Sequence, residues 1–144
     1  MSQITSTSGR GLNRLVALVF GAVYLLVGVV GFALTGFSGF ADPMGGRTLV
    51  VFEVNPLHNV VHVAIGVALL LASRRLAAAR ATNGTIGAVY LLVGVLGLFI
   101  ASPTSHLNLL ALNDADNVLH LASALLLLGV ALGADRRARV VSAA

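Results

Sequence analysis

The chain has 144 residues, of which 58% are hydrophobic and only 10% charged, with a formal charge of +4. Soluble domains are roughly a quarter charged, so this is one domain built for lipid, and its mean hydropathy of +0.97 agrees. There is no cysteine, which excludes disulfides, thiol catalysis, cysteine-ligated metal and covalently attached c-type haem.

The first ten residues, MSQITSTSGR, are small and polar and read as a disordered tail. Four apolar runs follow, near Leu15 to Leu34, Pro56 to Ala72, Ile86 to Ala101 and Asn117 to Gly133. Each approaches the ~20 residues that cross a hydrocarbon core, and in lipid each must be helical to satisfy its own backbone. The first run exceeds the usual apolar stretch of a cleaved signal, about 7–15 residues, and reads as a retained span. All nine basic residues are arginine. Eight lie before the first run, between the second and third, or after the fourth, and only Arg47 lies in the other two loops. The positive-inside rule then places both termini in the cytoplasm of a plasma-membrane protein. Asp42, Glu53, Asp114 and Asp116 fall on the opposite side. The net charge is thus a sided dipole facing lipid headgroups, not a nucleic-acid footprint.

Two blocks recur. GAVYLLVGVVG at Gly21 to Gly31 and GAVYLLVGVLG at Gly87 to Gly97 share 10 of 11 positions. NPLHNVVH at Asn55 to His62 answers NDADNVLH at Asn113 to His120. Tandem duplication of a two-span unit gives parallel repeats, related by a pseudo-twofold axis along the membrane normal. The expected fold is an all-α integral membrane four-helix bundle of two helical hairpins. Its parts are a disordered cytoplasmic N-terminus (1–14), repeat 1 (15–73), a cytoplasmic linker (74–85), repeat 2 (86–134) and a cytoplasmic C-terminal tail (135–144). Thr82, Asn83 and Gly84 favour a turn within that linker. The first block recurs after 66 residues and the second after 58, so the first outer loop, TGFSGFADPMGGRTLVVFEV, is eight residues longer. An Asp-Pro pair and a Gly-Gly pair punctuate it. A partner or ligand that distinguishes the halves would do so there.

In the odd-numbered spans Gly21, Tyr24, Gly28 and Gly31 share one helical face, as do Gly87, Tyr90, Gly94 and Gly97. Small residues let helices approach closely in lipid, so these are packing faces; alternatively, Tyr24 and Tyr90 reach a polar centre. Asn55 before Pro56 reads as an N-cap with proline at the first helical position, and Asn113 before Asp114 is its counterpart. Asn55, Asn59 and His62 then form one stripe, and Asn113, Asn117 and His120 another.

Three readings compete for these stripes. Asn59, His62, Asn117 and His120, with Tyr24 and Tyr90, form a hydrogen-bonded polar cluster across the axis, since buried polar groups need partners. Alternatively His58, His62, Asp116 and His120 hold a divalent metal ion through three imidazoles and a carboxylate, although Asp116 also occupies a capping-box position. Or His62 and His120 ligate a b-type haem. No acidic residue is centred in a span, so there is no continuous proton relay. There is also no phosphate loop, nucleophile elbow or catalytic carboxylate pair. His106 reads as a solvated loop residue.

On GAVYLLVGVVGF, FEVNPLHNVVH and the second copy ending NVLH, the chain resembles a bacterial, actinobacterial-type family of four-span membrane proteins, domain of unknown function 4383. The resemblance covers about Leu15 to Gly133 and implies no reaction, substrate or cofactor. Asp114 for Pro56 and Asp116 for His58 weaken any site that needs strict twofold symmetry. The expected role is a non-enzymatic structural or accessory membrane protein, as a homo-oligomer or a subunit of a membrane complex, with a metal- or haem-binding protein as the alternative.

Overall fold

A computed structural model describes residues 11–44, 46–102 and 104–135. The N-terminal tail through Arg10, Gly45 of the Gly-Gly pair, and the arginines Arg136, Arg137 and Arg139 lie outside those residues. The described residues are mostly helical, with four helices among them: α1 (Leu12–Thr35), α2 (Pro56–Ala72), α3 (Leu76–Ile100) and α4 (Asp114–Gly133). Three of them, α1, α3 and α4, are long and apolar enough to cross a membrane. With 17 residues, α2 is at the short end of the spanning range.

The all-α expectation needs one correction. The long loop between α1 and α2 contains two short strands, β1 (Arg47–Leu49) and β2 (Phe52–Val54), paired antiparallel with Leu49 opposite Phe52. The two-residue turn between them puts Val50 at φ 63°, a conformation that a β-branched side chain rarely adopts. The second correction concerns the 74–85 linker. Helix α3 begins at Leu76, so Ser73 to Arg75 alone separate it from α2. The alanine-rich run after Leu76 favours helix. Asn83, expected in a turn, is buried within α3 and donates to the backbone oxygen of Asn13 at 3.0 Å and its Oδ1 at 3.1 Å. That tertiary bond outweighs the local turn signal of Thr82, Asn83 and Gly84. Leu12 to Arg14, expected in the tail, likewise form the first turn of α1.

Helix α1 packs along α2, and α3 along α4, through their glycines. A Cβ on Gly66 would stand 2.5 Å from the backbone nitrogen of Leu25, and one on Gly21 would stand 2.8 Å from that of Leu70. Gly28 is equally tight against Val63, and Gly87 and Gly94 meet Leu128 and Leu121. At Gly31 and Gly97 the added atom would collide with the side-chain amides of Asn59 and Asn117. The pairs meet over a core that includes Ala17, Leu69, Ala79, Ile86, Ala124 and Leu127, leaving Leu26, Leu92, Phe99 and Leu125 exposed on the outer faces.

One end of the molecule is tied by polar groups. Gly11 offers α1 no side-chain cap. Asp135, just beyond α4, supplies it: Oδ1 accepts from Leu12 N at 3.0 Å and Oδ2 from Asn13 N at 2.8 Å. Arg14 Nε donates to Ser73 O at 2.9 Å, and Arg80 Nε to Ala131 O at 2.7 Å. The starts of α1 and α3 and the ends of α2 and α4 therefore share this end.

Two outcomes follow from this packing. Gly66→Ala forces backbones apart and should destabilise the detergent-solubilised protein by about 1–3 kcal/mol. Gly129→Ala, where an added Cβ meets nothing within 4 Å, should be neutral or stabilise by up to ~1 kcal/mol; thermal or SDS unfolding reads both. The Asn13 backbone N–H, with the Asn13 amide, the Leu12 N–H and the Arg80 charge, holds the Asp135 carboxyl below its ordinary range. Its stabilising contribution is therefore full above the unfolded pKa, near 4, and is lost as pH falls through the lower folded value. Unfolding midpoints measured from about pH 6 downward should show an acid-side loss that Asp135→Asn removes.

Candidate binding site

The caps of α2 and α4 set the register of the histidines. Asn55 Oδ1 accepts from His58 N at 2.9 Å, with Pro56 opening the helix. Asn113 Oδ1 accepts from Asp116 N at 3.0 Å, and Asp116 Oδ2 takes Asn113 N in return, a complete capping box. Each cap also reaches away from its own helix. Asn55 Nδ2 donates to Leu109 O at 2.8 Å in the loop before α4, and Asn113 Nδ2 donates to Val51 O at 2.9 Å in the hairpin turn. Asp116 Oδ2 further accepts Glu53 N of β2 at 3.1 Å. The hairpin is thereby fastened over the start of α4.

With those registers set, rings from all four helices converge. His58 and His62 of α2 lie 4.4 Å apart between centroids, and His58 lies 6.0 Å from His120 of α4. Tyr24 of α1 is 5.5 Å from both His62 and Tyr90 of α3. Tyr90 stacks on His120 at 4.9 Å. The sequence stripes thus bring His62, His120, Tyr24 and Tyr90 together, and add His58. Apart from the Tyr90–His120 stack these pairs are tilted; each such pair contributes about 0.5–1.5 kcal/mol beyond its area.

The hydrogen bonds run elsewhere. Tyr24 donates to Ser123 Oγ at 3.3 Å, and His58 Nδ1 donates to Glu53 O at 3.2 Å. Asn59 and Asn117 lie apart from the rings, seated against Gly31 and Gly97. Asn59 Nδ2 donates to Thr35 Oγ1 at 3.0 Å. Neither polar atom of the Asn117 amide has a partner among the described residues. The difference is one residue: Thr35 is four positions after Gly31, whereas Ala101 is four after Gly97. Nδ1 of His62, Nδ1 of His120 and the Tyr90 hydroxyl are also buried without a partner among the described residues.

For metal, the four candidates His58, His62, Asp116 and His120 do not assemble. Among the described residues no group of three or more histidine, cysteine, aspartate or glutamate side chains is placed to hold an ion. Asp116 has Oδ2 turned to two backbone N–H groups, and His58 Nδ1 is bonded to a carbonyl. His106 is exposed, as the sequence suggests.

Sequence reasoning missed Ser123, Thr35, Asn13 and Glu53. Ser123 had a usable signal, because it follows His120 by three and shares its helical face. Glu53 acts through its backbone, which no residue pattern reveals.

Alongside the ring cluster, α1 and α4 diverge enough to leave a groove of about 520 Å³. The hairpin closes its outer end with Leu49, Phe52 and Val54, and its inner wall includes Tyr24, His62, His120 and Ser123.

The asymmetry at the two asparagines is measurable. Asn59→Ala breaks a part-buried hydrogen bond, while Asn117→Ala removes an amide that makes none with the described residues. Both open similar space against a glycine, so Asn59→Ala should be the more destabilising by about 1 kcal/mol in equilibrium unfolding.

No curated protein and no solved structure matches the chain. A family model does, across residues 14–133. The chain belongs to the family described as a domain of unknown function, DUF4383.

Proposed function

We propose that this chain is a non-enzymatic integral protein of the plasma membrane. In this reading all four helices span, as a bundle of two related hairpins with both termini cytoplasmic, and the ring cluster is the seam that joins the hairpins. The observation that carries it is the convergence of Tyr24, His58, His62, Tyr90 and His120, which draws at least one ring from every helix into one buried contact set. The near-identical glycine blocks, the matched asparagine caps and the Gly31–Asn59 and Gly97–Asn117 contacts support the duplication. The eight-to-one arginine bias supports the orientation, as does the shared end made by Arg14, Ser73 and Asp135. A protein with this architecture serves as an accessory subunit, presenting its exposed apolar faces to lipid or to other spans of a membrane complex or a second copy.

The cysteine-free sequence makes the test direct. Single cysteines replacing Met44 and Ser105 should react with a membrane-impermeant maleimide on intact cells. One replacing Arg75 should react only after permeabilisation. The reverse pattern, or labelling of Met44→Cys and Ser105→Cys on opposite sides, would overturn the topology. Truncating the seam with Tyr90→Ala should cost about 3 kcal/mol, typical of a large buried ring; a negligible change would remove the seam reading.

A further inference from the structure

The groove between α1 and α4 has a composition that a passing acyl chain does not explain. Its walls are almost wholly apolar, with Phe20 and Val27 beside Tyr24, and its rim includes Val23 and Leu26, which are 52% and 64% exposed. If the helices span as proposed above, that rim opens sideways into the hydrocarbon layer. Yet His62 and His120 line the same groove, 5% and 3% exposed, each with a ring Nδ1 that has no partner among the described residues. An unpaired buried polar atom costs about 1–3 kcal/mol. A hydrocarbon tail would fill the groove and leave that cost in place. A ligand that brings a polar atom relieves it, because χ2 of histidine is a broad two-fold torsion and its ring nitrogens donate or accept according to tautomer.

The lining further restricts the ligand's head. No arginine among the described residues lines the groove, and the one ionisable carboxylate at its wall, Asp116, opposes an anionic head. Burying a cationic head against walls that are almost wholly apolar is costly, which leaves an uncharged one. Phe20, Tyr24 and the two imidazoles present ring faces and edges, which suit a flat head. The volume of about 520 Å³ falls within the ordinary range of small-molecule sites, about 300–1,000 Å³.

We propose that this groove binds a lipid-soluble quinone. Its ring lies against Tyr24 and Phe20, an oxygen is hydrogen-bonded to the imidazole of His62 or His120, and its tail leaves between Val23 and Leu26 into the bilayer. Tautomer exchange lets the same imidazoles donate to a quinone carbonyl or accept from a quinol hydroxyl. The β1–β2 hairpin covers this side, so the site is single per chain although the glycine blocks are duplicated.

The experiment uses the full chain in lipid nanodiscs, titrated calorimetrically with a decyl-substituted benzoquinone and, separately, with decylbenzene, which has the tail but no oxygen. Saturable binding of one quinone per chain, at least roughly tenfold tighter than decylbenzene, is expected from one or two hydrogen bonds. His62→Phe/His120→Phe keeps the rings and should reduce quinone affinity to the decylbenzene level. Val23→Trp fills the exposed rim and should abolish binding with an unchanged unfolding midpoint. Equal binding of both compounds, no saturable binding, or full binding by Val23→Trp would each overturn the proposal. If the double phenylalanine variant fails to fold, the decylbenzene and Val23→Trp comparisons decide alone. A wrong membrane placement would appear instead in the cysteine labelling pattern, which is read without any quinone.

Discussion

Everything else in this molecule depends on how closely α1 approaches α2, and α3 approaches α4. In lipid there is no hydrophobic drive between apolar helices, so association rests on dispersion and short polar contacts. Dispersion falls steeply with distance, and only glycine permits the spacing seen where Gly66 meets the Leu25 backbone and Gly21 meets Leu70. That spacing also seats Asn59 and Asn117 against Gly31 and Gly97. The asparagines in turn sit one helical turn from His62 and His120, so the glycine contacts fix where the imidazoles stand.

The ring cluster is a consequence of that placement and of the two N-caps. Asn55 and Asn113 each start a helix and also hydrogen-bond to a distant loop carbonyl, so helix register and loop position are set by the same side chain. The outcome is a centre that is well packed but incompletely hydrogen-bonded, since His62, His120 and Tyr90 keep buried atoms without partners among the described residues. Natural proteins tolerate few such atoms. Two of them belong to His62 and His120, which line the groove, and that separates this centre from an ordinary structural core.

Much of this was legible from residue order. The bounds of α2 follow from the Asn-Pro cap and the apolar run, and the glycine faces follow from their spacing. The equivalent positions of His62 and His120, seven residues after Asn55 and Asn113, follow from the recurring block. What misled was local chemistry that a distant group overrode: Thr82, Asn83 and Gly84 look like a turn until Asn13 is placed beside Asn83. The β1–β2 hairpin was hidden because its turn places a valine, Val50, at positive φ, where glycine or asparagine would have been the signal. The expected mutual hydrogen bonding of the polar stripes gives way to ring contacts: Thr35 and Ser123 take the bonds of Asn59 and Tyr24, while His62, His120 and Asn117 keep atoms without partners among the described residues. The metal set failed for a related reason, Asp116 being committed to backbone N–H groups.

The Asp135 cap has a consequence for how the chain is made. The first N–H groups of α1 are satisfied by a side chain more than 120 positions later, after every other helix has been synthesised. Until then the start of α1 is held by its own turn, by Arg14 on Ser73 and by Asn83 on Asn13, with its first N–H groups uncapped. The earliest helix to enter the membrane is thus the last to have its end secured. Synthesis as far as Asp135, and not insertion of any single helix, secures that end, and a ribosome stalled before Asp135 would leave a chain with all four helices made and the first still uncapped.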